Sequence, residues 1–187
     1  MQPVYSNQRT YKSRSTPFFA GFVVVAVLLL LGGELAQAQR AQRLVLETGT
    51  MAELTGLLSA GDALHYALTK QDDEQIEVAL RDIEIATQRT MAAANRLRLH
   101  ERSHLVRILE SIEENVDVAR NSGHGDRRDR ISDIFNMQAN LVRIYGVDTR
   151  FKIFFCSRDK VTWVQTRPRG QYPFLDHGER DCAIRAH

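Results

Sequence analysis

Residues 62–122 contain no glycine and no proline, an uninterrupted span of 61 residues. A small β-rich chain needs turns every few residues, so a span without either turn former points to helix. The apolar spacing agrees. Ile76, Leu80, Ile83, Thr87, Thr90, Ala94 and Leu97 advance in steps of four and three, and Leu105, Ile108, Ile112, Val116 and Ala119 continue them. That is the period of one stripe on a helix facing a core. Charges such as Glu77, Arg81, Glu84, Arg96, Glu110 and Glu113 fall outside the stripe, on the face expected to meet water.

An earlier helix is expected over about 41–70, with Leu44, Met51, Leu54, Leu57, Leu58, Leu64, Ala67 and Leu68 as its apolar positions. Gly49, Gly56 and Gly61 weaken it by about 1 kcal/mol each relative to Ala, unless they admit a neighbouring helix. Gln71-Asp72-Asp73 suits a turn and a new helix start. Asn121 to Asp126 reads as a loop, and a last helix is expected over 129–145, closed by Gly146 at C′. Its inner face carries Ile131, Ile134, Phe135, Leu141, Val142 and Tyr145. A break near residues 100–103, with Ser103 as N-cap, gives four helices in an up-down bundle. Without a break, residues 73–121 make one helix of about 70 Å and an elongated coiled-coil hairpin. The four-helix reading is preferred, because Glu101 falls where the stripe requires an apolar residue.

The N-terminus has another character. Arg9, Lys12 and Arg14 precede an uncharged run, Pro17 to Gly33, followed by Ala36-x-Ala38. Basic, apolar and small-residue regions in that order match a secretory signal peptide cut after Ala38. A retained anchor over 17–33 is the alternative, at the lower bound of a spanning length. Both put the rest of the chain outside the cytoplasm, periplasmic or otherwise extracytoplasmic. Removing residues 1–38 leaves 22 basic and 22 acidic residues. That balance argues against nucleic acid as a partner.

Composition shifts again near residue 146. Residues 34–144 hold two aromatic side chains, Tyr66 and Phe135; residues 145–187 hold seven. Residues 151–156 and 161–165 are rich in aromatic and β-branched side chains and flank Ser157-Arg-Asp-Lys160, which predicts a β-hairpin followed by an irregular tail. The only two cysteines, Cys156 and Cys182, lie here. Outside the cytoplasm such a pair forms a disulfide, worth about 3 kcal/mol for a loop of this length. The expected organisation is therefore a leader (1–38), a helical domain (39–146) and a small disulfide-closed module (147–187), mainly α.

Three metal or cofactor patterns stand out. His100-Glu-Arg-Ser-His104 fits H-E-x-x-H, which on a helix sets two histidines on one face for zinc and places Glu101 to polarise a bound water. In these five residues the chain resembles zinc metalloproteases of the zincin type, which implies a zinc-dependent hydrolase with His100 and His104 as ligands and Glu101 as base. It departs from them at Arg102, a cation beside the expected metal, and from the metzincin subfamily at Arg107 and Glu110. Cys156, His177, Cys182 and His187 could instead hold a structural zinc. His65, His100 or His104 with Met51 or Met91 could ligate haem, although no Cys-x-x-Cys-His permits covalent attachment. Phosphate-loop, dinucleotide and Gly-x-Ser-x-Gly signatures do not occur in the sequence.

The expected role is non-catalytic and needs no cofactor: an interaction or structural module of the cell envelope, with a helical stalk presenting a basic, aromatic C-terminal piece. Trp163, Arg158, Lys160, Arg167 and Arg169 are the candidate contacts for a protein or envelope component. Self-association through the helices and membrane association through an uncleaved leader complete the expected partners.

Overall fold

The computed structural model of the chain describes residues 44–97, 99–174 and 182–186, with the side chains of residues 99–101 left out. The leader, its Ala36-x-Ala38 site, and the two tail histidines His177 and His187 lie outside the described residues.

Four helices follow one another: α1 (Thr48–Lys70), α2 (Asp73–Ala94), α3 (Leu99–Asn121) and α4 (His124–Tyr145). Three strands come after them: β1 (Lys152–Cys156), β2 (Val161–Gln165) and β3 (Ala183–Arg185). The chain is mainly helical, a helical bundle with a small antiparallel sheet. Short connections make sequence neighbours antiparallel, and α1 packs on α2, α2 on α3 and α3 on α4. Among the described residues no helix is long and apolar enough to cross a membrane.

Local chemistry accounts for the boundaries. Asp72 caps α2, its Oδ1 accepting from Gln75 N at 3.1 Å, and Asp73 and Glu74 complement the dipole in the first turn. Gly146 takes φ 60° at the end of α4 and its N–H reaches Val142 O at 3.0 Å, the expected C′ role. Ahead of α1, Leu44 N donates to Ile144 O at 3.1 Å, satisfying a carbonyl of the last turn of α4.

The four-helix reading holds, but its hinge sits earlier than expected. The chain turns after Ala94, and Arg96 and Leu97 donate back to Ala93 O and Ala94 O. Ser103 consequently lies inside α3, four residues past its start, rather than at an N-terminus. Leu97 is buried in the connection itself, so it belongs to the core without belonging to a helix. Two other boundaries also moved. α1 starts at Thr48, and α4 begins at His124, five residues before the expected start, leaving only Ser122 and Gly123 between α3 and α4.

Every position of the α2 stripe, Ile76 through Leu97, is buried. Thr87 and Thr90 can be buried because their hydroxyls donate to Ile83 O and Ala86 O, both at 2.7 Å. Gly61 does admit a neighbour. A Cβ there would lie 2.1 Å from the Gln138 side-chain oxygen, and Gln138 Nε2 donates to Leu57 O at 3.2 Å, tying α4 to α1. Gly49 and Gly56 face open space.

The hairpin forms over the expected residues, with Phe154 opposite Trp163 and Cys156 opposite Val161. β3 adds to the other side of β1, giving the order β2-β1-β3. That third strand corrects the expectation of an irregular tail. The Cys156–Cys182 disulfide explains it, because it brings Ala183 beside Cys156 in the β1–β3 register.

β2 is a sheet edge, yet all five of its residues are buried. The helices cover it. Thr162 N donates to Asn136 Oδ1 of α4 at 2.8 Å, and Thr166 N donates to Asp62 Oδ1 of α1 at 3.3 Å. These side chains take up edge donors that would otherwise invite another strand. Buried residues before and after Gly146 belong to one hydrophobic cluster.

Candidate functional site

Trp163 is the largest fully buried side chain. Its ring stacks on His65 of α1 (6.2 Å between centres) and on Phe154 of β1 (6.0 Å), with Tyr172 edge-on at 5.7 Å. Trp163 therefore fills the space between helices and sheet and is withdrawn from the candidate contacts; a wholly enclosed ring meets no partner.

Strand alternation places Gln165 on the same face as Trp163, two residues on. It too is fully buried. Its Oε1 accepts from Trp163 Nε1 at 2.9 Å and from Gln171 N at 3.4 Å. Its Nε2 donates to Arg167 O at 3.1 Å and Arg169 O at 2.7 Å. A primary amide offers two donor and two acceptor positions, and here all four are used. The loop 166–171 is thus folded around one buried side chain.

The helical layer holds the same loop from outside. Thr166 Oγ1 donates to Asp62 Oδ2 at 2.6 Å. His65 Nε2 lies 2.7 Å from Gln171 O; a carbonyl only accepts, so Nε2 carries the proton and donates. Gly170 is required where the loop crosses β1, since a Cβ would lie 2.4 Å from the Phe154 ring. Arg167, Pro168 and Arg169 form the outward part, with Pro168 and Arg169 exposed. The Arg167 guanidinium lies 4.5 Å from the Tyr66 ring centre, and Lys70 Nζ lies 5.5 Å from the same centre. Tyr66 is 49% exposed.

The four basic candidates do not converge. Arg158 and Lys160 occupy the β1–β2 turn, whereas Arg167 and Arg169 follow β2, so the pairs sit at opposite ends of a five-residue strand, about 16 Å in length. Arg158 is engaged at its own end. It pairs with Asp159 at 3.2 Å and lies over the Tyr172 ring at 5.6 Å. Arg128 of α4 joins them, 3.5 Å from Asp159 and donating to the Tyr172 hydroxyl at 3.3 Å. The Tyr172 hydroxyl and then the Arg158 side chain hydrogen-bond the Asp159 carboxylate and hold it below its usual pKa. Burial, reinforced by that carboxylate, pushes the Tyr172 phenol up to about 12. This end is a closed network of a tyrosine, an acid and two arginines.

The metal readings fare unequally. The disulfide joins Cys156 and Cys182, so neither sulfur is available to the tail zinc site. Among the described residues the single metal-type cluster is Cys156, Asp159 and Cys182, and the same bond occupies both its sulfurs. His65 Nε2 donates its proton to a carbonyl, so that nitrogen offers no lone pair to a haem iron. His100 and Glu101 start α3, and their side chains are not described; His104 is exposed, with Nδ1 3.1 Å from the Tyr145 hydroxyl. Burial raises the Tyr145 pKa. A groove of about 660 Å³ opens at one end of the bundle between Leu68, Ile76, Ile131 and Phe174, with His124 and Arg128 also lining it.

Sequence reasoning missed Gln165, Asp62, Tyr66 and Lys70. Gln165 had a usable signal, since period two from Trp163 puts a polar residue on the inward face just before a Gly- and Pro-containing segment. No family model matches this chain, and no curated protein or solved structure matches it significantly.

Proposed function

We propose that the chain is an exported protein of the cell envelope that works as a non-catalytic interaction module. The helical bundle is its base, and the segment Thr166–Gln171 is the part held out to a partner. One observation carries this reading. A fully buried glutamine uses its whole hydrogen-bonding capacity to fix a loop whose outward residues are Arg-Pro-Arg. A recognition loop fixed in advance loses little conformational freedom on binding. The disulfide supports an oxidising compartment, and the leader pattern supports export to it.

The test is site-specific photo-crosslinking of the full chain in cells, with a photoreactive residue in place of Arg169. A discrete crosslinked species is expected from that position, absent from a control at exposed Glu110 and lost when Gln165→Ala is added. Equal background at both positions, or a crosslink indifferent to Gln165→Ala, contradicts the proposal.

A further inference from the structure

Tyr66, Lys70 and Arg167 place two cations on one exposed ring. The two charges, 5.5 and 4.5 Å from a single ring centre, lie within 10 Å of each other. Neither has a carboxylate within ion-pair distance among the described residues, and neither does neighbouring Arg169. The nearest acid of the loop anchor, Asp62, is engaged by the backbone N–H and hydroxyl of Thr166. At the other end of β2, Arg128 and Arg158 both pair with Asp159. At one end of the strand the arginines thus have a carboxylate partner, and at the other Lys70, Arg167 and Arg169 have none within ion-pair distance among the described residues.

Stacking on a ring fixes the plane of a guanidinium and leaves its edge donors outward, the geometry that grips a carboxylate with two parallel bonds. Lysine adds a point charge beside it. Carboxylates two residues apart in an extended peptide are separated by about 7 Å. That spacing lies inside the 10 Å upper limit on the separation of the two cations.

We infer that the Tyr66–Lys70–Arg167 patch docks an extended acidic segment of a partner protein carrying Asp or Glu at alternate positions. This rests on the interaction-module reading and gives it a site and a partner chemistry. An anionic bilayer fits less well. Tyr66 is the single large exposed apolar side chain of the patch, and cations lie against its ring, so little remains to insert among lipids.

The test uses the full chain and a synthetic peptide alternating Glu and Ser, followed by NMR at the Tyr66 ring and the Arg167 Nε. Saturable shifts are expected, and none from the matching Gln peptide. Arg167→Ala and Lys70→Ala should each weaken binding about tenfold, the effect of one charge-assisted contact. Arg167→Lys, which keeps the charge and loses the fork, should also weaken it, and Arg150→Ala, outside the patch, should not. No shifts with the Glu peptide, or full affinity in Arg167→Ala, overturns the inference. So does binding to vesicles of equal parts phosphatidylglycerol and phosphatidylcholine without peptide binding. A discrete Arg169 crosslink in cells beside a silent peptide would sink this inference alone and leave the interaction-module reading standing.

Discussion

The helices and the C-terminal segment reach burial by different routes. In α2 and α3 the core is an aliphatic stripe, and the polar side chains buried with it, Thr87, Thr90 and Asn115, bond to carbonyls of their own helix. In the segment after Gly146 the core is a ring stack around Trp163. Its buried polar member, Gln165, bonds the Trp163 ring N–H and the backbone of residues 167, 169 and 171 to fix a loop. Periodic packing needs only local register. The second kind of core depends on groups far apart in sequence, His65 with Gln171 and Asp62 with Thr166, and is correspondingly specific. The first kind makes a base, and the second holds a shape outward.

The comparison breaks most visibly at Trp163. Trp163→Ala should cost about 3–5 kcal/mol. Because its ring touches His65 of α1, the helical circular-dichroism signal should melt earlier and in one transition. A helical signal that keeps its midpoint would show the aromatic segment to be an independent appendage.

Gln165→Ala strands the Trp163 N–H and two loop carbonyls inside the fold, a loss of about 1–3 kcal/mol in chemical denaturation. It should also open the loop to trypsin. Arg167 precedes a proline, and the Arg169 carbonyl at the susceptible Arg169–Gly170 bond is held by Gln165, so the wild-type loop should resist cleavage and the variant should be cut there. Equal resistance would contradict the clamp.

Within the helices two glycines sharpen the contrast. Gly61→Ala drives a Cβ into Gln138 and should destabilise by about 1–3 kcal/mol. Gly56→Ala, facing open space, should stabilise by about 0.5–1 kcal/mol. Thermal midpoints moving in opposite directions are expected; a shared direction would remove the α1–α4 contact from the account.

The Arg158–Asp159–Tyr172 network gives the smallest effect, read as pH dependence. Tyr172 keeps its proton in the fold up to about pH 12, whereas an unfolded tyrosine releases it near 10. Between those values the unfolded chain binds fewer protons, so stability falls as pH rises. Asp159, held below its ordinary pKa, acts at the other end: its contribution is present above the usual carboxylate value and disappears as pH drops through its lowered one. Tyr172→Phe should flatten the alkaline decline, and an unchanged slope would remove Tyr172 as its source.

Much of the base was legible because helical packing writes itself into spacing. The α2 stripe, the Asp72 start and the Gly146 stop all depend on residues a turn apart. The hinge was misplaced because Leu97 keeps the helical phase while lying in the connection. The third strand left no pattern of its own; three residues are too few for alternation, and its place follows from the sulfur bridge. The loop anchors were the least legible. Asp62 and Thr166 are 104 residues apart, and nothing local to either states that they meet.

Amide hydrogen exchange on the intact oxidised chain tests the clamped loop most directly. Thr166 and Gln171, whose N–H groups bond Asp62 and Gln165, should exchange slowly, with protection near that of the β1–β2 ladder, and Gln165→Ala should release Gln171. Exchange of both amides at the rate of an unstructured peptide would mean that the loop is not held, and the recognition surface described here would not exist.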